Sequence, residues 1–408
     1  MNYKRVLDCI IDIGEAMVNS GAEISRVEDS MYRLCRSYGF VRVNCWTIAT
    51  NIQITVESPD GEILTQIRYV TGREMDFDRL DYLNDLCRKA CAKTPDAAQL
   101  KESLTKVMER PGKPKWEHYL AGIMGGVGFA AFFACDLVDT LAAVIASAII
   151  ITVKDGLEKY ERNPLVINAI TAFLAECLIL LCVKLGLGHN YSNITVGVVM
   201  LLISGIGFTN GIRDLMHTDT LSGLINLARS VLGASGIAIG IALPILLIKE
   251  ENFDAMKLSP SLIIQLVSCT IACVGFALWF NVKGKQVAFA GIGAFLTWFV
   301  YALLFDAWQS NFLATLAGAV FVAAYAQLMA RVNKAPATIF LTTTVFPLVP
   351  GPNLYYMMYW IVGRNYTAAM QEAITLILTC LGIVFGFLII EILSKYSTLI
   401  LGKLKKSQ

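Results

Sequence analysis

The sequence predicts a polytopic α-helical membrane protein: about ten transmembrane helices in two five-helix inverted-topology repeats with broken helices, plus an N-terminal cytosolic α+β domain. Three observations carry this expectation. The 408-residue chain is 56% hydrophobic and only 16% charged, where a soluble globular chain carries ~25% charged residues. The bias is uneven, with residues 1–115 of ordinary soluble composition and residues 116–408 almost continuously apolar. Each half of the apolar part also holds one long run broken by polar or helix-ending residues, "TNGIRD" in the first and "LVPGPNLYYM" in the second.

The front end comes first. Val6, Leu7, Ile10, Ile13, Met17 and Val18 recur at helical spacing and Gly21 is a plausible stop; "AEISRVEDSMYRLCRSYGF" repeats the pattern and ends at Gly39. "VRVNCWTIATNIQITVE" and "EILTQIRYV" are β-branched and alternating, with the turn signal Ser58-Pro59-Asp60-Gly61 between them. Residues 76–110 return to helix, so the order ααβββαα describes a small domain able to fold alone. Glu23, Arg26, Glu28 and Asp29 cluster at one helix start and read as capping and a solvated face. "ERPGKPK" (109–115) is the linker into the membrane.

A spanning helix needs about 20 mostly apolar residues. Ten segments qualify: 117–135, 137–153, 164–184, 194–212, 221–248, 261–280, 286–305, 310–330, 336–361 and 367–393. No apolar leader opens the chain, so the front end stays in the cytosol. The loops then expected inside hold Lys154, Lys159 and Arg162; Arg213; Lys283 and Lys285; Arg331 and Lys334; and the basic tail Lys395, Lys403, Lys405 and Lys406. The outer connections are nearly free of unopposed basic residues, as the positive-inside rule requires for two cytosolic termini. The expected units are therefore a cytosolic α+β domain over 1–115, a first five-helix repeat over 116–249, and a second over 250–408 with a short basic cytosolic tail. Five is odd, so the second repeat enters the membrane inverted. Each break precedes a long final helix, which is the layout of a transporter with its site at paired broken helices.

Several function classes fall away. A net charge of +2 leaves no footprint for nucleic acid. Eleven cysteines without a paired framework fit a reducing compartment, and no His completes a zinc set beside Cys87 and Cys91. The soluble part has no Ser/His/Asp set and no Gly-rich phosphate loop, and the membrane part has no Ser/Lys or paired-aspartate motif. No enzyme, metal or cofactor is expected.

The candidate chemistry sits at the breaks. Pro347, Pro350 and Pro352 remove three backbone donors within six residues, and Gly351 permits a non-helical turn. Asn353, Tyr355, Tyr356 and Tyr359 follow with donors, acceptors and rings, which suits a site better than a simple kink. In the first half, Asn210-Gly211 breaks the helix and Arg213, Asp214 and Asp219 follow. Thr218-Asp219-Thr220 resembles an N-cap for the fifth span, leaving positive amide ends toward the break. Those ends plus Arg213 suit a carboxylate, and the neighbouring Asp suits an ammonium group. An ordinary inner loop obeying positive-inside is the rival, and the matching break in the second half favours a pathway. Glu176, alone in "AFLAECLILL", is either a proton carrier or a neutral, hydrogen-bonded packing acid. Glu372 and Asp306 lie near helix ends, where interfacial roles are expected, and Glu391 reads as snorkelling. The glycines of "AGIMGGVGF" (122–128) read as close helix packing.

Three motifs together, "IGEAMVNSGAEISRVEDSM", "NGIRDLMHTDTLSGLINLAR" and "FPLVPGPNLYYMMYWIVGRN", resemble the bacterial threonine/serine exporter family over essentially the whole chain, in the form where two half-proteins are fused. The resemblance implies a multi-pass secondary exporter of the cytoplasmic membrane, with threonine or serine as substrate, dicarboxylates such as succinate in some split relatives, and the proton gradient as driving force. By motif position it points to Asn210, Arg213, Asp214, Asp219 and Ser222 in one half, and to Pro350, Gly351 and Asn353 in the other. His217 departs from the motif, standing where a small or apolar residue is expected. Tyr355, Tyr359 and Glu176 complete the expected pathway. The partners are a small solute, protons and the lipid bilayer, and a homo-oligomer is compatible. A membrane-anchored sensor or scaffold acting through the soluble domain is the competing class.

Overall fold

The computed structural model describes residues 2–70, 75–203, 207, 211, 214–215, 220–248 and 260–406. The front end has two helices, three strands and two helices. Helix α1 (Tyr3–Asn19) is capped by Asn2, whose side chain accepts from Arg5 N, and buries Val6, Leu7, Ile10, Ile13 and Met17. Helix α2 (Ile24–Ser37) buries Ile24, Val27, Met31 and Leu34 at the same period. Strands β1 (Arg42–Ile48), β2 (Asn51–Glu57) and β3 (Ile63–Tyr69) form an antiparallel sheet in that order, with Trp46, Gln53 and Ile67 in register. Ile52, Ile54 and Val56 face the helices, while the other face stays open. Helix α3 (Phe77–Lys93) is capped by Asp76, and α4 (Ala97–Met108) by an Asp96/Gln99 capping box.

The apolar part follows as α5 (Lys115–Phe132), α6 (Leu137–Leu157), α7 (Pro164–Lys184), α8 (Tyr191–Val199) and α9 (Thr220–Ile248). It continues as α10 (Leu262–Trp279), α11 (Lys285–Trp308), α12 (Asn311–Asn333), α13 (Ala337–Val345), a 3-10 turn (Phe346–Leu348), α14 (Gly351–Val362) and α15 (Tyr366–Lys406). Seven of the described helices are long and apolar enough to cross a membrane: α6, α7, α9, α10, α11, α12 and α15. The sequence expects three more spans. The first falls on α5; the fourth and ninth fall on the segments containing α8 and α13–α14, whose described helices are each shorter than a full crossing.

The packing has a repeated plan. In the first half α5 packs on α6, α6 on α7 and α7 along α9, with α8 set against α5, α6 and α7. In the second half α10 packs on α11, α11 on α12 and α12 along α15, with α13 against α10, α11 and α12. The leading helices α5 and α10 pack against each other across the middle. Glycine makes that contact possible: a Cβ on Gly128 would stand 2.6 Å from Ala272 N, and one on Gly275 would stand 2.6 Å from Gly125 N.

The front end docks on one end of the second-half helices. Phe77 N and Asp78 N donate to the carbonyls of Phe280 and Asn281. Asn281 Nδ2 donates to Asp76 at 2.7 Å and Gln286 Nε2 to Asp81 at 3.1 Å, and Arg88 donates to the carbonyl of Lys334 at 2.9 Å. Burial raises the Asp81 carboxyl, and the Gln286 bond opposes it. Lys113 donates to the last carbonyls of α10, Leu278 at 2.7 Å and Trp279, and burial lowers its ammonium to about 8.

One expectation about the front end is corrected. Glu23 and Glu28 do not lie on a solvated face. Glu23 is 3% exposed and makes no capping bond to α2; its carboxylate accepts from the Thr338 hydroxyl in the first turn of α13. Glu28 accepts from Thr47 N at 2.7 Å, and only Asp29 pairs outward, with Arg33. The charges that appeared to cap a helix instead tie it to the sheet and to the membrane part.

Candidate functional site

Two short helices set up the site. α8 and α13 are each nine residues long, and every residue of both is buried. A helix buried on all sides has no lipid-facing stripe, so it lies inside the bundle. Neither runs on as regular helix. α8 gives way to a turn at 200–202, while α13 passes through the 3-10 turn to Pro350, which has no amide proton to continue a ladder. Two breaks at membrane depth leave backbone groups that only protein or a watery cavity can satisfy.

The breaks meet. A Cβ at Gly351 would collide with the Met200 sulfur and stand 2.9 Å from Ile203 Cδ1. Glycine at 351 therefore lets the start of α14 seat against the chain leaving α8.

Near that contact lies a buried polar cluster. Glu176 on α7 is 1% exposed, and its Oε2 accepts from Thr195 Oγ1 at 2.7 Å. Its Oε1 has no hydrogen-bond partner among the described residues. Three residues earlier on the same face of α8, Ser192 Oγ lies 3.3 Å from Tyr355 OH on α14. Tyr356 and Tyr359 flank Tyr355 with ring centroids 5.1 and 6.1 Å away. α8 thus links an acid of the first half to a phenol of the second. A carboxylate with one bonded oxygen, set in a field of hydroxyls, can take up and release a proton and can receive a donor from a solute.

The remaining expected residues fall around this cluster. Asp214 is 3% exposed and accepts from Asn226 Nδ2 of α9 at 2.8 Å. Ser222, one turn earlier on α9, is 1% exposed with its hydroxyl unpartnered among the described residues. Asn353 Nδ2 donates to Glu372 Oε2 of α15 at 2.9 Å. Glu372 is therefore bonded to a break residue, where the sequence suggested an interfacial role. Asn210, Arg213 and Asp219 lie outside the described residues, as do Thr218 and His217. Of the expected set, the structure gathers Glu176 with Tyr355 and Tyr359, and sets Gly351 against Met200 and Ile203, some residues before the break expected at Asn210-Gly211, most of which lies outside the described residues.

Sequence reasoning missed Thr195, Ser192 and Asn226, and it gave Glu372 an interfacial role. A signal was present for Asn226 and Glu372, polar residues early in long, mostly apolar helices. Asp136, Asp139 and His189 also bring three potential ligand atoms within 4.8 Å of one another. These donors are largely engaged, since Asp139 accepts from the backbone of His189 and Asn190 while His189 Nδ1 meets Asp136 at 3.0 Å. The trio fastens the α7–α8 connection to the start of α6.

Comparison with known proteins follows this geometry. Residues 8–247 match the threonine/serine exporter family model ThrE, and residues 265–393 match the model ThrE_2, described as "Threonine/Serine exporter, ThrE". The chain is 22% identical over 413 residues to a Mycobacterium tuberculosis protein named "Probable threonine/serine exporter", covering 95% of this chain and 76% of that one. It is 23% identical over 377 residues to a Corynebacterium glutamicum "Threonine/serine exporter", covering 87% of this chain and 75% of the relative. No solved structure matches the chain.

Proposed function

The chain belongs to the threonine/serine exporter family, a family of multi-pass membrane exporters, and from that membership we propose that it expels threonine, serine or a similarly small amino acid by alternating access about its two breaks. The observation that carries the proposal is the meeting of the breaks at Gly351 and Met200, beside the buried Glu176–Thr195 and Ser192–Tyr355 contacts. A solute crossing there meets hydroxyls, carboxamides and carboxylates in place of lipid.

In this proposal ten spans form two inverted five-helix repeats, 116–249 and 250–408, with residues 1–115 and both termini in the cytosol. The matched packing of the two halves and the equal lengths of α8 and α13 support it. Asn210, Arg213, Asp214, Asp219 and Ser222 line the inner approach; Pro350, Gly351, Asn353, Tyr355 and Tyr359 line the outer one. Arg213 and the start of α9 receive the substrate carboxylate, and an Asp receives its ammonium group. Glu176 carries the coupled proton, with its unpartnered oxygen as the exchange point.

The test is a panel of radiolabelled amino acids and dicarboxylates offered to proteoliposomes holding the whole chain. Movement of threonine and serine is expected. Movement of succinate without either amino acid replaces the substrate assignment, and movement of nothing, in a folded protein, favours a sensor acting through the soluble domain.

A further inference from the structure

Asp214–Asn226 and Asn353–Glu372 share one chemistry. Each is a carboxylate accepting from a carboxamide, at 2.8 and 2.9 Å, and each joins the segment at or after a break to the final helix of its half. Asn226 lies early in the described part of α9, and Glu372 lies in the second turn of α15. The roles are exchanged: the acid lies on the break side in one half and on the helix in the other. Under the inverted-repeat topology proposed above, the two pairs lie toward opposite sides of the membrane.

We propose that these pairs are matched latches on the inner and outer sides of the pathway, and that Glu372 receives the ammonium group of the departing amino acid when the outer latch opens. The proposal rests on the exporter function above. An ionised carboxylate has about four acceptor positions, and Asn353 supplies one donor. An ammonium brings to the carboxylate a full opposite charge that a neutral carboxamide lacks, so it competes successfully for the same oxygens. Displacing Asn353 frees α14 from α15. Tyr356 completes the receptor. Its hydroxyl is buried and unpartnered among the described residues, and its nearest charged and titratable neighbours are Glu372, Tyr359 and Cys135. A small zwitterion arriving from Asp214 thus finds a second acid beyond the breaks. Opening one latch while the other holds keeps the pathway from becoming a channel.

Cys135 is a native reporter: it lies between α5 and α6 and packs, like Tyr356, against the same hydrophobic cluster. The experiment treats cells expressing the full chain with a membrane-impermeant maleimide and follows Cys135, using Cys135→Ser as the blank. Asn353→Ala, which unlocks the outer side, is expected to speed labelling several-fold, and Asn226→Ala, which unlocks the inner side, to slow it. In proteoliposomes, Glu372→Gln is expected to raise the KM for threonine about ten- to hundredfold, the loss of one charge-assisted bond of ~1.5–3 kcal/mol, while Glu372→Asp recovers most of the affinity. Equal labelling rates in both carboxamide variants and the wild type overturn the latches. An unchanged KM in Glu372→Gln overturns its role as receptor. Opposed labelling shifts in a protein that moves neither threonine nor serine uphold the latches and overturn the substrate assignment instead.

Discussion

Replacing Gly197 by alanine tests how tightly the inner architecture holds the polar cluster. Gly197 follows Thr195 by two residues on α8, and a Cβ there would stand 2.6 Å from Ala130 N and 2.7 Å from Ala130 Cβ. Ordinary contact begins at 3.4 Å, so clearing Ala130 N alone requires α8 and α5 to part by 3.4 − 2.6 = 0.8 Å, and Ala130 Cα lies closer still. No flexible side chain is available to yield, because the obstacle is backbone and a methyl group. Over-packing of this kind costs ~1–3 kcal/mol. The same displacement reaches Ser192, whose 3.3 Å contact with Tyr355 lengthens to 4.1 Å if the full 0.8 Å falls along it. Gly197→Ala should therefore unfold earlier in detergent and exchange labelled threonine more slowly at temperatures where it remains folded. Gly156→Ala is the control: nothing lies within 4 Å of its added Cβ, and alanine is the better helix former by up to ~1 kcal/mol. Equal melting and equal exchange in the two variants would refute the packing argument.

Other outcomes follow from the same contacts. Glu176→Gln should keep the Thr195 bond yet abolish the pH change inside vesicles on threonine addition; an unaltered pH signal removes Glu176 from coupling. Thr338→Val deprives the buried Glu23 carboxylate of one donor and should cost ~1–3 kcal/mol in thermal unfolding, whereas Arg33→Ala, which breaks an exposed pair, should cost no more than ~1 kcal/mol. Lys113 releases its proton at about 8 when folded, below the ordinary 10.5. Between those values the unfolded chain binds more protons, so this residue adds stability as pH rises from 8 toward 10.5. Lys113→Met should reduce that rise, and identical pH–stability profiles would contradict the burial of its ammonium.

The sequence made the broad plan legible because its signals are long or local. Apolar runs of span length, the glycine series at 122–128 and the proline cluster at 347–352 each fix a backbone requirement without knowledge of the neighbours. Glu176 was visible for the same reason, as one acid in an apolar run. What pairs with it was not. Thr195 and Ser192 are common in packed helices, and only the seating of α8 between α7 and α14 gives them partners. Glu23 and Glu372 misled in opposite settings, one near a helix start and one near a membrane face. Charge near a helix end is usually solvated, and each instead finds a buried or half-buried partner more than fifteen residues away. Contacts that depend on tertiary approach leave no periodicity to read.

The central claim is that a solute crosses where the two broken helices meet. Counterflow of radiolabelled threonine in proteoliposomes holding wild type, Asp214→Asn or Arg213→Ala tests it most directly. The account predicts robust exchange by the wild type and loss of exchange in both variants at equal reconstituted amounts. Wild-type exchange rates in both variants would contradict it.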